Sequence, residues 1–113
     1  MIWLATEGKK EHLDIVDTEV GSPSYAPDIA EFTQAILDEK AEPGIYHASN
    51  HGECSWYNCA NKAFEMKGIN ISTTPCSSDK FPRPAKRPKH STLLNTKRPK
   101  LRSWEEALQD YLT

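Results

Sequence analysis

The chain has 113 residues, 37% of them apolar and 27% charged, with a formal net charge of −2. That length suits one small domain and excludes two, and the longest apolar run, about five residues, is far short of the roughly 20 needed to span a bilayer. Cys54, Cys59 and Cys76 are an odd number without framework spacing, so they are expected to be reduced thiols and not a disulfide scaffold. The amino-terminal Met1 to Ala5 has neither a basic n-region nor a cleavage site, and a cytoplasmic location is therefore expected.

The elements are read in chain order. Leu13 to Asp17 is rich in large and β-branched apolar residues and runs into the turn cluster Gly21-Ser22-Pro23-Ser24, which predicts a short strand entering a loop. Pro27 suits a first helical turn, Asp28 and Glu31 place negative charge at its positive end, and Ile29, Phe32 and Ile36 recur at helical spacing toward Lys40. Gly44 to Ala48 is predicted as a strand closed by Asn50-His51-Gly52. Ser55 announces a second helix as its N-cap, with Trp56, Tyr57, Ala60, Ala63 and Phe64 on one broad apolar face, and Gly68 ends it. The core is the expected place for both Trp56 and Trp104, whereas Trp3 is not assigned. Asn70 to Thr74 is predicted as a further strand. Ser103-Trp104-Glu105-Glu106 is a capping box that opens a terminal helix, with Leu108, Tyr111 and Leu112 continuing its apolar stripe. Strands alternating with helices predict a small α/β (α+β-like) fold with three helices and a sheet of three or four short strands.

The modest net charge hides an asymmetry. Residues 1–76 carry 5 basic and 12 acidic side chains, residues 77–113 carry 9 and 4, and from Lys80 to Arg102 there are nine basic residues and no acidic one. Pro82, Pro84, Pro88 and Pro99 interrupt that stretch, so this Pro-rich basic loop at 80–102 can be neither regular helix nor central strand. Its arginines, Arg83, Arg87, Arg98 and Arg102, have the planar fork that grips two oxygens of a phosphate. A sequence pI near 6.1 argues against a nucleic-acid module.

Other chemistry is thinly represented. With glycines only at positions 8, 21, 44, 52 and 68, no dinucleotide or phosphate-binding glycine fingerprint can be written. The Tyr-x-x-x-Lys pair of short-chain dehydrogenases and the G-x-S-x-G elbow are also absent, so no catalytic residue is assigned. His47, His51, Cys54 and Cys59 are zinc-capable, but their spacing matches no recurring finger, and core cysteines with surface histidines are the expectation.

Five segments together resemble a known family. They are Asp17 to Ala30 around Gly21-Ser22-Pro23-Ser24-Tyr25-Ala26-Pro27; Gly44 to Asn50; Gly52-Glu53-Cys54-Ser55-Trp56-Tyr57; Phe81 to Ser91; and Leu101 to Leu108. In this order and spacing they are similar to the carboxy-terminal substrate-binding part of the dTDP-4-dehydrorhamnose reductases, which are extended short-chain dehydrogenase/reductases. The resemblance implies NADPH-dependent reduction of dTDP-4-dehydro-L-rhamnose, with cofactor and Tyr/Lys pair held by an amino-terminal Rossmann half that these residues do not include.

It further implies that residues 1–113 form a single dTDP-sugar-binding domain. Gly21, Ser22, Pro23 and Ser24 would stand at the domain-junction loop, and Arg83, Arg87 and Ser91 on the substrate side, Arg83 and Arg87 meeting the diphosphate. Glu19 and Ser24 depart from the family's usual Gln and Thr, and an acid beside a diphosphate weakens its binding. No cofactor or metal is expected on these residues. The chain is expected to be inactive alone, either an excised domain or a truncated reading frame. The alternative expectation is an interaction module that self-associates or pairs with a separate Rossmann chain through an apolar face.

Overall fold

The computed structural model describes residues 5–8 and 10–113, so Trp3 and most of the amino-terminal Met1 to Ala5 lie outside the described residues. The elements run β1 (His12–Val16), β2 (Val20–Gly21), α1 (Ala26–Asp38), β3 (Cys54–Ser55), α2 (Trp56–Lys67), β4 (Ser72–Cys76), a 3-10 turn (Ser78–Lys80) and α3 (Trp104–Leu112). β1 and β4 pair in parallel, from His12 opposite Ser72 to Val16 opposite Cys76. A parallel pair needs a crossover, and α2 packs against β1 as its last element. β2 and β3 pair antiparallel, Val20 opposite Ser55 and Gly21 opposite Cys54. The short strands thus form two separate two-stranded sheets, not the single small sheet expected.

Two strand expectations need correction. Gly44 to Ala48 forms no strand: Ile45, its one β-branched residue, is 76% exposed, and no strand among the described residues pairs with the segment. The segment is held against the basic loop instead. Leu94 O lies 3.2 Å from His47 Nδ1, the Lys97 ammonium sits 5.1 Å from the Tyr46 ring centroid, and the Tyr46 hydroxyl donates to Glu42 O. The strand expected at Asn70 to Thr74 begins two residues later and runs through Pro75, which stands opposite Ile15. Proline has no N–H to donate, so a sequence reading stops short of it, yet an edge position tolerates it.

The helix signals are met by their caps. Ser55 Oγ accepts from Asn58 N at 3.1 Å, and Gly68, at φ 67°, ends α2 in the left-handed region. Ser103 and Glu106 form the reciprocal capping box of α3, Glu106 N donating to Ser103 Oγ at 3.2 Å and Ser103 N to Glu106 Oε2 at 3.1 Å. Ser103→Ala is expected to cost about 1 kcal/mol, because one orphan helix N–H loses its acceptor, and a urea midpoint measures it.

Ile15, Ala60 and Phe64 are buried together, with Leu13, Tyr57, Ile69 and Ile71 packed around them. Trp104 and Ala107 bury the inner side of α3, but Tyr111 is exposed, so the terminal stripe is narrower than expected. Trp104 closes over Gly52, where φ is +95° and an added Cβ would lie 3.1 Å from the indole. Trp56 is not a core residue. It is the first residue of α2, borders an open cavity and is 54% exposed.

Candidate functional site

The basic loop is irregular through most of its length but is tied down at one place. Val20 N donates to Lys89 O and Ser91 N donates to Val20 O, each at 2.8 Å, making a parallel bridge to His90. β2 therefore has β3 on one edge and residues 89–91 on the other. This pairing brings the Gly21 turn beside Arg87 to Ser91, segments some 70 residues apart in the chain. The contact is close: a Cβ on Gly21 would lie 2.8 Å from Ser91 Oγ, so a larger residue there would force the Ser91 hydroxyl to move.

A cavity of about 260 Å³ opens where these segments converge. Gly21, Ser22 and Pro23 line one side, Arg83, Arg87 and Ser91 another, and Cys54, Ser55, Trp56 and Cys59 the wall made by β3 and the start of α2. Of the seven site residues expected from the resemblance, six share this cavity. Ser24 is not among the lining residues, and its hydroxyl turns back to donate to Ser22 O at 3.2 Å. Ser22 donates its hydroxyl proton to Gly52 O at 2.7 Å, so it presents an acceptor, not a donor, to the cavity. Ser55 is committed as well, donating to Asp17 Oδ1 at 2.5 Å while capping α2.

The four arginines divide sharply. Arg98 pairs with Glu39, and Arg102 makes a two-pronged pair with Asp28, Nε to Oδ2 at 2.8 Å and Nη2 to Oδ1 at 2.9 Å, plus a 2.8 Å bond to Asp110. No ion pair between described residues uses Arg83 or Arg87, and both are exposed. The two arginines without an ion pair among the described residues are thus the two that line the cavity. Glu19 lines the same cavity and opposes their charge.

Arg102 belongs to a clasp that sequence reading missed. Asn50 is 1% exposed: its Oδ1 accepts from Tyr25 N at 2.7 Å, and its Nδ2 donates to Asp28 Oδ2 at 2.7 Å and to Arg102 O at 3.2 Å. Tyr25 has no capping side chain for α1, so Asn50, supplied from a distant turn, satisfies its backbone. The Asn50-His51-Gly52 turn former was visible in the sequence; its burial was not.

The Arg102 guanidinium, with Asn50 assisting, holds the Asp28 carboxyl below its ordinary value of 3.8 against the opposing effect of burial. A depressed carboxylate contributes stability that is complete above the unfolded value and is lost as pH falls through the folded one. Stability is therefore expected to drop on acidification below about pH 4, and Asp28→Asn to start less stable and lose less over that range, as urea midpoints at successive pH values will register.

No three His, Cys, Asp or Glu side chains gather as a metal site among the described residues. α1 opens on Ala26-Pro27, with Asn50 Oδ1 accepting from Tyr25 N just before it, and α2 is capped by Ser55 and headed by Trp56. No helix among the described residues is long and apolar enough to cross a membrane.

Comparison with known proteins places this geometry among relatives. A family model described as the RmlD substrate binding domain matches residues 1–113. The dTDP-4-dehydrorhamnose reductase of Mycolicibacterium smegmatis is 40% identical over 104 residues, which is 87% of this chain and 32% of that protein. The spore coat polysaccharide biosynthesis protein SpsK of Bacillus subtilis is 35% identical over 109 residues, 91% of this chain and 37% of that one.

Among solved structures, a dTDP-4-dehydrorhamnose reductase from Clostridium acetobutylicum superposes with a TM-score of 0.91 at 38% identity, covering 98% of this chain and 40% of that one. The Bacillus anthracis enzyme, solved in complex with NADP, gives 0.89 at 30% identity, covering 97% and 40%. The chain thus spans less than half the length of each of these relatives.

Proposed function

The chain belongs to the RmlD substrate binding domain family, and on that premise we propose that its cavity binds the diphosphate and sugar of a dTDP-linked 4-keto-6-deoxy sugar for NADPH-dependent reduction. One observation carries the reading: Arg83 and Arg87, free of ion pairs among the described residues, share a cavity with the Gly21-Ser22-Pro23 turn. Two guanidinium forks can each grip two oxygens of a diphosphate, and the half-exposed Trp56 offers an apolar face to a sugar ring. Ser22 and Glu19 supply acceptors for sugar hydroxyls, Glu19 at a cost in affinity for the dianion.

On this reading residues 1–113 act as one substrate-binding unit that holds and orients the sugar nucleotide. The cofactor and the proton donor for the reduction would lie on residues beyond these, and the 113 residues alone would bind without turning over. A cytoplasmic location fits a substrate of this kind.

A two-dimensional amide NMR titration with dTDP-rhamnose tests the proposal. Saturable shifts are expected at Gly21, Ser22, Arg87 and Ser91. A well-dispersed spectrum that does not move there would count against the cavity as the site. The second reading, association through an apolar face, has its own observation in the exposed Ile45, Leu93 and Leu94. Its signature in the same experiment is concentration-dependent broadening at those three residues without ligand.

A further inference from the structure

Two nucleophilic side chains on the cavity wall have no part in sugar-nucleotide binding as argued above. Cys54 immediately precedes the N-cap of α2, and Cys59 stands one turn into that helix. These are the two places, before the cap and at the fourth helical residue, where a pair of side chains commonly packs together to fix the entry of the chain into a helix. Here both are thiols, and both line the cavity.

The two are not equivalent. Cys54 is buried, and its interaction with Cys59 together with burial keeps it protonated, whereas Cys59 is only half-buried, so it is the thiol that a molecule in the cavity can reach, and its partner Cys54 favours its thiolate despite that burial. A nucleophilic thiolate beside a protonated second thiol is the arrangement needed for thiol–disulfide exchange with an internal resolving group. Cys76, on β4 at the far end of the β1 ladder, does not line this cavity.

We propose that Cys59 and Cys54 form a dithiol modification site, in which Cys59 attacks a low-molecular-weight disulfide entering the cavity and Cys54 resolves the adduct. In the first step the Cys59 sulfur bonds to one sulfur of the donor as the donor S–S bond breaks, and the released donor thiolate takes up a proton. In the second, the Cys54 thiol gives its proton to solvent, its sulfur bonds to that of Cys59, and the other half of the donor leaves as a thiol. Two protein thiols are oxidised by two electrons and one donor disulfide is reduced to two thiols. The product ties β3 to the first turn of α2 across the cavity wall. The site does not depend on what the cavity binds.

The test uses oxidised glutathione on the full chain, followed by trypsin and mass spectrometry. Residues 41–62 form one tryptic peptide that holds Cys54 and Cys59, and Cys76 falls in a separate peptide, 68–80. The expected product is peptide 41–62 lighter by two hydrogens. Cys54→Ser should instead retain a glutathione adduct on Cys59, and Cys59→Ser should leave the buried Cys54 unmodified. A wild-type chain that accumulates the adduct on Cys59 without closing the internal bond, or that reacts only at Cys76, or not at all, overturns the proposal. The wild-type result decides the matter even where a variant fails to fold.

Discussion

Replacing Asn50 by alanine is expected to lower the unfolding free energy by about 3 kcal/mol, a large share of the roughly 5–15 kcal/mol that a small domain possesses. The side chain is almost wholly buried, and its removal strips Tyr25 N–H of its acceptor, Arg102 O of one donor and Asp28 of the amide that steadies it. An unpaired buried donor costs more than an average hydrogen bond is worth, because the group left behind has lost water as well. The clasp joins the start of α1, the 50–52 turn and the entry to α3, so the loss should appear as a whole-domain shift in the urea midpoint and in a melting temperature lowered by more than about 10 °C. Asn50→Asp is the sharper variant. It keeps an acceptor for Tyr25 N–H but sets a second carboxylate against Asp28, and at neutral pH it should be at least as destabilising as alanine. A loss below about 0.5 kcal/mol in both variants would mean that water replaces the amide and that the clasp is not what holds these segments together.

On the proposed reading, removing Arg83 and Arg87 together is expected to weaken dTDP-sugar binding by more than about 100-fold. A hydrogen bond to a charged group is worth about 1.5–3 kcal/mol, so each arginine accounts for roughly 10- to 100-fold on its own. Both side chains are exposed and unpaired among the described residues, and their replacement by alanine should leave the melting temperature nearly unchanged. Arg98→Ala is the matched control. It also deletes a cation from the basic loop, but one that is paired with Glu39, so binding should hold within about twofold while the ion pair is lost. Calorimetric titration of the three single variants, Arg83→Ala, Arg87→Ala and Arg98→Ala, separates a specific diphosphate contact from a general positive field. Equal weakening by all three would point to the field alone, and that weakening would fade with added salt.

Much of the local structure was legible because its causes are local. Ser55, Gly68 and the Ser103–Glu106 box act within one helical turn of themselves, and each marks its helix end as the sequence predicts. The basic loop was legible for the same reason, since each proline restricts its own backbone and that of the residue before it. Where sequence reading failed, the deciding partner lay far away. Gly44 to Ala48 has the pattern of a strand but pairs with no strand among the described residues. Pro75 looks like a strand breaker until an edge position opposite Ile15 accepts it. Trp56 fits an apolar helical face by spacing, yet at the start of α2 that face opens onto the cavity and leaves the indole half-exposed.

The candidate site shows the same division. That the 80–102 stretch carries concentrated positive charge and that the 21–24 turn is made of small residues are properties of the sequence alone, because charge and backbone freedom belong to each residue wherever it stands. Which arginines remain available is not such a property. Arg98 and Arg102 are chemically the same as Arg83 and Arg87, and only the folded arrangement sets Glu39, Asp28 and Asp110 against the first two. The meeting of the two motifs likewise rests on Val20 exchanging backbone hydrogen bonds with residues 89 and 91, bonds available to any residue with a free N–H and carbonyl and so invisible in side-chain identity. Residue chemistry set what the site could contain, and long-range pairing decided which of it faces the cavity.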